Sequence, residues 1–506
     1  MNRLAHITLG LAAIAIALSC GARSSPPTTV MPTARPNIVL ILTDDLDLEP
    51  VAYMPHLRSE LTSQGVSFTN AFVTNSMSVP SRVSLLTGRY AHNHGVLTDR
   101  PPTGSFRRLF RDGGEAKTIA TDLQAEGYRT AFVGRYLDFY PRAQDRQYIP
   151  PGWSHWSGLF FPEDYYNFSL NHNGQILEFG ASIEDYQTGV LSSLAMEFLA
   201  STTPDEPFFL ELAFLAPHRP FLPAARHSSI YPTLEPKRSA SFDEQDVSRK
   251  PEWIRSLPRL TEEDATTLAD DFRKRVRMLQ AVDESVAAIV GRLRERNQLQ
   301  NTYVVFTSDG GFQQGAHRII GDQGDAYEAS VRVPLIVRGP GVPANRRVDR
   351  FALNIDVAPT LAELAGVALP GLADGRSLLP LLGEELPEEE EWRSDFLIEH
   401  WVKKRGGIPE YGALRTARHL FVQYETGERE LYDVSADPHQ LDNLIDGAEV
   451  ELVTSLQTRL AALRECAGDV CRESPPQPAP DPEELAPPTE LSPEGSDESA
   501  EGRDPY

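Results

Sequence analysis

Cysteine is nearly absent: only Cys20, Cys466 and Cys471 occur in 506 residues. That excludes a thiolate metal cluster and leaves no cysteine nucleophile within the folded stretch. Cys466 and Cys471, close together near its end, can close one small disulfide loop in an oxidising compartment. Positive charge is also scarce. Lys and Arg total 48 against 72 Asp and Glu, a formal net charge of -24, which argues against nucleic-acid binding. Long apolar runs are missing except at the N-terminus, where the stretch 7–18 is shorter than the roughly 20 residues of a membrane-spanning helix. No internal repeat is present. A chain of this length exceeds what one core comfortably holds, so a large domain with a smaller one is expected.

The N-terminus has Arg3, the apolar run, then Ser19-Cys20-Gly21, the layout of a cleaved export signal. Residues 17–20 resemble a bacterial lipobox, which implies a lipid anchor on Cys20; a plain secreted protein is the alternative. The expected destination is the periplasm or cell surface, with membrane contact through the anchor only. The expected domains are 1–20 signal, 21–36 linker, 37–384 main domain, 385–471 small C-terminal subdomain, and 472–506 disordered tail rich in Pro, Glu and Asp.

Residues 37–43 form a continuous apolar run of strand length that ends at Asp44-Asp45. Similar runs occur at 129–134, 207–214, 302–308 and 333–338, as expected of strands buried on both faces. Helical patterns lie between them at 118–126, 270–296 and 356–365. The fold class read from this alternation is α/β, a large doubly wound, mostly parallel sheet flanked by helices, with ligands at the C-terminal strand ends. From about residue 385 the pattern changes to a small α+β unit. It has antiparallel strands at 412–424 and 428–433 around a turn at Thr426-Gly427, then an amphipathic helix over 449–464.

Residues 78–88 read Ser-Val-Pro-Ser-Arg-Val-Ser-Leu-Leu-Thr-Gly. Ser78, Pro80, Ser81, Arg82, Leu86, Thr87 and Gly88 resemble the signature of the formylglycine-dependent sulfatases of the alkaline phosphatase superfamily, in the serine-type form. Further blocks resemble the family: Asp44-Asp45, 134–137, 151–156, 216–221, 307–311, Tyr327-Glu328 with Arg332-Val-Pro334, and 430–438. The look is nearest to N-acetylglucosamine-6-sulfatase-like members.

The resemblance implies that Ser78 is oxidised by a maturase to formylglycine, whose hydrate attacks sulfur, with one calcium ion per chain neutralising charge. It implies Asp44, Asp45, Ser78, Asp309 and the position of Gly310 as the metal site. Arg82 would steady formylglycine and the carboxylates, and His218 would contact sulfate or the leaving oxygen. Pro80 suits a helix start at Ser78, where free backbone N–H groups would face the sulfate.

The implied substrate is a sulfated carbohydrate or other sulfate ester. The overall negative charge does not forbid it, because charges beyond about 8 Å are largely screened. Arg135 stands where the family has a sulfate-binding Lys, keeping charge but changing shape. Gly310 removes a side-chain ligand. Gln323 falls on a second substrate-binding lysine, and a neutral amide cannot act as an acid. These departures leave two alternatives: a degenerate homologue that binds without turnover, and a phosphodiester or phosphonate hydrolase on the same superfamily site. His92 and His94 are as suited to capping as to substrate contact. Trp153, His155 and Trp156 are candidates for a sugar subsite or for the core.

Overall fold

Every residue of the strand Asn37–Thr43 is buried. Successive side chains leave a strand on opposite faces, so Ile38, Leu40 and Leu42 enter one apolar layer while Val39 and Ile41 enter the other. This two-sided burial is why the run is continuously apolar.

A computed structural model describes residues 35–142, 144–321, 324–368, 373–401 and 407–473. The signal and anchor readings, including Cys20, the substrate-binding expectation at Gln323, and the tail from 474 lie outside the described residues. No helix among the described residues is long and apolar enough to cross a membrane.

In chain order the strands are β1 (Asn37–Thr43), β2 (Val66–Phe68), β3 (Ala71–Phe72), β4 (Arg129–Gly134), β5 (His155–Leu159), β6 (Ser169–His172), β7 (Gln175–Glu178) and β8 (Phe208–Ala213). They continue with β9 (Thr302–Ser308), β10 (Leu335–Arg338), β11 (Arg346–Val348), β12 (Ala352–Leu353), β13 (Asp395–His400), β14 (Tyr411–Thr416), β15 (His419–Tyr424) and β16 (Arg429–Asp433). Ten of them form one sheet in the order β11-β2-β10-β9-β1-β8-β4-β5-β6-β7. The centre, β9-β1-β8-β4-β5, is parallel.

The helices Ser78–Thr87, Ile119–Ala125 and Val357–Ala365 pack on one face, and Gln187–Ser201 and Glu262–Glu295 on the other. The last of these starts earlier than its apolar pattern, because Thr261 and Asp264 form a capping box that carries the polar first turns.

One detail differs from the sequence expectation. The run at 333–338 yields β10, which pairs antiparallel with both β9 and β2. A strand buried on both faces has the same apolar pattern in either direction, so composition carries no information on polarity. Of the two alternatives left open for Trp153 and Trp156, the core is the one observed: Trp156 is fully buried, stacks on Phe132 at 4.6 Å and donates from Nε1 to Tyr140 Oη at 2.6 Å.

The C-terminal sheet is antiparallel, in the order β13-β14-β15-β16. The helix Val450–Arg464 covers it with Leu456, Leu460 and Leu463. Their apolar cluster also takes in Phe72, Val73 and Tyr90 from the large unit. Cys466 and Cys471 are disulfide-bonded. The Cys466 carbonyl accepts from Asn93 Nδ2 at 2.9 Å and lies 3.0 Å from His92 Nε2. His92 Nδ1 pairs with Glu399 at 3.0 Å, and His94 lies 3.1 Å from Ser84 Oγ, so both histidines are committed to packing contacts.

Candidate active site

The parallel register sets two carboxylates side by side. Thr43 of β1 lies opposite Ser308 of β9, so Asp44 and Asp309 leave the sheet at the same level. The backbone N–H of Asp45 donates to Asp309 Oδ1 at 3.1 Å. Asp45 itself has φ 62°, an uncommon conformation for a non-glycine residue. On the other side of β1, β8 leads into the loop that carries His218. Next to β8, β4 ends at Gly134, where φ is 130° and a Cβ would stand 1.8 Å from the Ala213 carbonyl oxygen. Only glycine permits that approach, and it delivers Arg135 to the same edge.

Ser78 opens the helix Ser78–Thr87, whose Gly88 C-cap is left-handed at φ 68°. Pro80 sits in the first turn, where its missing N–H breaks no helical bond. The Ser78 side chain is buried, and its Oγ donates to Asp44 Oδ1 at 3.4 Å. The next three positions offer no amide to an anion, contrary to the sequence expectation for this turn. The Val79 N–H donates to Asp99 Oδ1 at 2.9 Å, Pro80 has none, and the Ser81 N–H donates to the Met77 carbonyl at 3.0 Å.

One turn along, Arg82 reaches beneath Ser78. Its Nε donates to Asp309 Oδ2 at 2.7 Å, Nη2 to Asp44 Oδ2 at 3.0 Å and Nη1 to the Arg135 carbonyl at 2.6 Å. Arg135 donates from Nη1 to Asp44 Oδ2 and from Nη2 to Asp138 Oδ1 at 2.7 Å, while its Nε lies 3.7 Å from Glu163. Its guanidinium is thus occupied by acidic groups of the chain.

Charge is unevenly compensated. Burial acts to raise the Asp44 pKa, but Arg135, Arg82 and His218 together hold it below the ordinary value. Burial, then the charges of Asp44 and Asp309, push Asp45 well above its ordinary range. Asp309 is raised by burial and by Asp44, against Arg82 and Arg135. Burial lifts Glu163 to about 7, with only partial relief from Arg135.

Asp45 Oδ1 is buried with no hydrogen-bond donor among the described residues. Asp44, Asp45 and His218 each offer a ligand atom, all within 4.8 Å of one another. Crowded oxygen donors with an orphaned carboxylate oxygen among them fit a hard cation such as calcium. His218 Nδ1 lies against the Arg219 carbonyl, which only accepts, so in the neutral ring the proton sits there and Nε2 presents a lone pair. That Nε2 is 3.8 Å from Asp45 Oδ2, and about a third of the side chain is exposed (35%). Tyr165 Oη donates to the His218 carbonyl at 2.7 Å and steadies the loop.

Ser78, Asp44, Asp45, Arg82, Arg135, His218 and Asp309 therefore converge. Gly310 brings no side chain, and its carbonyl accepts from Ser308 Oγ at 2.9 Å. Asp138, Glu163 and Asp99 escaped the sequence reading. Asp138, three residues after Arg135, had a usable signal in that spacing; the other two had none.

Residues 36–367 match the family model described as Sulfatase, and 315–466 match one described as N-sulphoglucosamine sulphohydrolase, C-terminal. The chain is 32% identical over 478 residues to the N-acetylglucosamine-6-sulfatase of Capra hircus, covering 87% of this chain and 85% of that one. A protein solved in complex with its substrate D-glucosamine-2-N,6-O-disulfate is 25% identical, with a TM-score of 0.74 over 84% of this chain and 97% of its own. The phosphonate monoester hydrolase of Agrobacterium radiobacter shares the fold, with a TM-score of 0.66 and 23% identity over 85% of this chain and 95% of its own.

Proposed function

This chain belongs to the sulfatase family, and we propose that it hydrolyses sulfate monoesters of carbohydrates, glucosamine 6-sulfates foremost. The relatives with that activity or substrate support the choice of sugar. The observation that carries the reading is Ser78 Oγ, 3.4 Å from Asp44 Oδ1 at the buried start of its helix, beside the orphaned oxygen of Asp45.

Asp44, Asp45 and Asp309 would hold a calcium ion, which supplies charge neutralisation at a sulfate oxygen; an aldehyde formed from Ser78 would supply the hydrated nucleophile. The chain's own groups do the rest. Arg82 fixes the spacing of Asp44 and Asp309 by binding both. His218, from the exposed side, presents Nε2 to take or return a proton at the ester oxygen. Arg135, held at this edge by Asp44 and Asp138, would turn its guanidinium to sulfate. Export is supported by the disulfide, which persists in oxidising compartments.

A second reading, binding without turnover, is favoured by Gly310, which lacks a ligand side chain, and by Arg135, already engaged by Asp44 and Asp138. One experiment separates them: the mass of the peptide spanning Ser78, from protein made with a serine-type maturase, alongside sulfate release from N-acetylglucosamine 6-sulfate. Loss of about two hydrogens at Ser78 with sulfate release is the expected result. An unmodified Ser78 with no turnover sinks the enzyme in favour of the binding protein.

A further inference from the structure

Two segments that face Arg135 turn outward at their neighbouring residues and line a separate cleft of about 420 Å³. Phe139 follows Asp138, and Phe161 lies two residues before Glu163. Their rings stack at 4.7 Å, and Phe139 holds φ 69°, a conformation that costs a non-glycine residue energy and persists only where packing imposes it. Phe160, Phe168, Pro141, Pro162 and three arginines also line it. Arg107 lies over Phe139 at 5.1 Å, Arg146 over Phe160 at 4.7 Å and Arg142 over the nearby Phe110 at 4.6 Å.

None of these arginines pairs with a carboxylate among the described residues, in a chain with 72 acidic side chains. A guanidinium stacked on a ring keeps its N–H edge available for a sulfate or carboxylate. The aromatic and proline wall between them suits the apolar face of a pyranose. The net charge of -24 makes a polynucleotide a poor occupant.

Resting on the proposed function, we infer that this cleft binds a second, anionic sugar of the same saccharide whose sulfate ester is presented at Ser78. The saccharide is then held at two points, at Ser78 and in this cleft. Asp138 and Glu163 tie the two sites together, since each belongs to a segment that reaches both Arg135 and the cleft.

The test compares wild type with R142A/R146A on two probes, a heparin tetrasaccharide and N-acetylglucosamine 6-sulfate. The expected result is a rise in KM of about tenfold for the tetrasaccharide, equivalent to about 1.4 kcal/mol, with kcat and all monosaccharide kinetics unchanged. An equal loss on both probes, or none on the tetrasaccharide, overturns the inference. Calorimetric binding of the tetrasaccharide to S78A and to S78A/R142A/R146A reads the cleft without turnover. Tetrasaccharide affinity that falls only in the latter supports the cleft even if Ser78 is never converted; no binding to S78A, or equal binding by both proteins, overturns it.

Discussion

Arg82 Nε lies 2.7 Å from Asp309 Oδ2, with both side chains almost wholly sealed from water. The same guanidinium also reaches Asp44, so one cation joins the ends of two parallel strands. Removing one member of a buried pair leaves the other charge uncompensated. Arg82→Ala is therefore expected to cost about 3–5 kcal/mol of unfolding free energy, read from denaturant titration. Arg82→Lys keeps the charge but cannot serve both carboxylates, and falls between. A loss below about 1 kcal/mol for the alanine variant, the range of exposed pairs, contradicts this role.

Asp309 is bound by Arg82 at Oδ2, whereas Asp45 Oδ1 has no hydrogen-bond donor among the described residues. Burial and its acidic neighbours disfavour its charged form, so Asp45→Asn is expected to leave the calcium-free protein as stable as wild type or more so. The same change removes an oxygen donor's charge, and calorimetry should show calcium affinity reduced at least about tenfold. Asp309→Asn should weaken calcium similarly while also lowering stability, because it loosens Arg82. Wild-type affinity in both variants would remove the metal assignment.

Much of this site was legible because strands buried on both faces are conspicuous. The runs at 37–43 and 302–308 each end at an acidic residue, which already located Asp44 and Asp309 at strand ends. The serine signature added the helix start. What stayed hidden depends on tertiary approach: Asp99 reaches Val79 across an irregular loop, and Glu163 reaches Arg135 from a segment with no periodic pattern. The strand β13 was missed because its apolar run is only three residues long, Phe396 to Ile398, flanked by the buried charges Asp395 and Glu399. Burial of those charges depends on Arg459 and His92, both distant in sequence.

The disulfide closes a short loop, Cys466 to Cys471, so its entropic effect is modest. A loop of this size stabilises by about 2 kcal/mol in the chain-entropy model. Its local surroundings add to that. Cys466 offers its carbonyl to Asn93, and the Gly468 N–H donates to Asp374 Oδ1 at 2.7 Å, while Asp374 Oδ2 accepts from Asn93 and from the Tyr90 N–H. C466S/C471S is expected to lose about 2 kcal/mol and to raise amide exchange at Tyr90 and Gly468. Unchanged exchange at Tyr90 would show that the segment holds without its covalent link.

Glu211, in the middle of β8, is buried, and its Oε2 has no hydrogen-bond partner among the described residues. Burial lifts its pKa to about 8, with only slight opposition from Arg82. In the unfolded chain an ordinary Glu titrates near 4.5. Between those values the native state holds a proton that the unfolded state has released, so stability falls as pH rises and levels off above about 8. Glu211→Gln keeps the shape of the protonated carboxyl and removes the titration. The variant is expected to match wild type near pH 4, to exceed it by a few kcal/mol at pH 9, and to lose most of the slope between. Parallel stability curves for the two proteins from pH 5 to pH 9 would mean that water or a relaxed side chain solvates Glu211, and that its charge is not confined in the sheet.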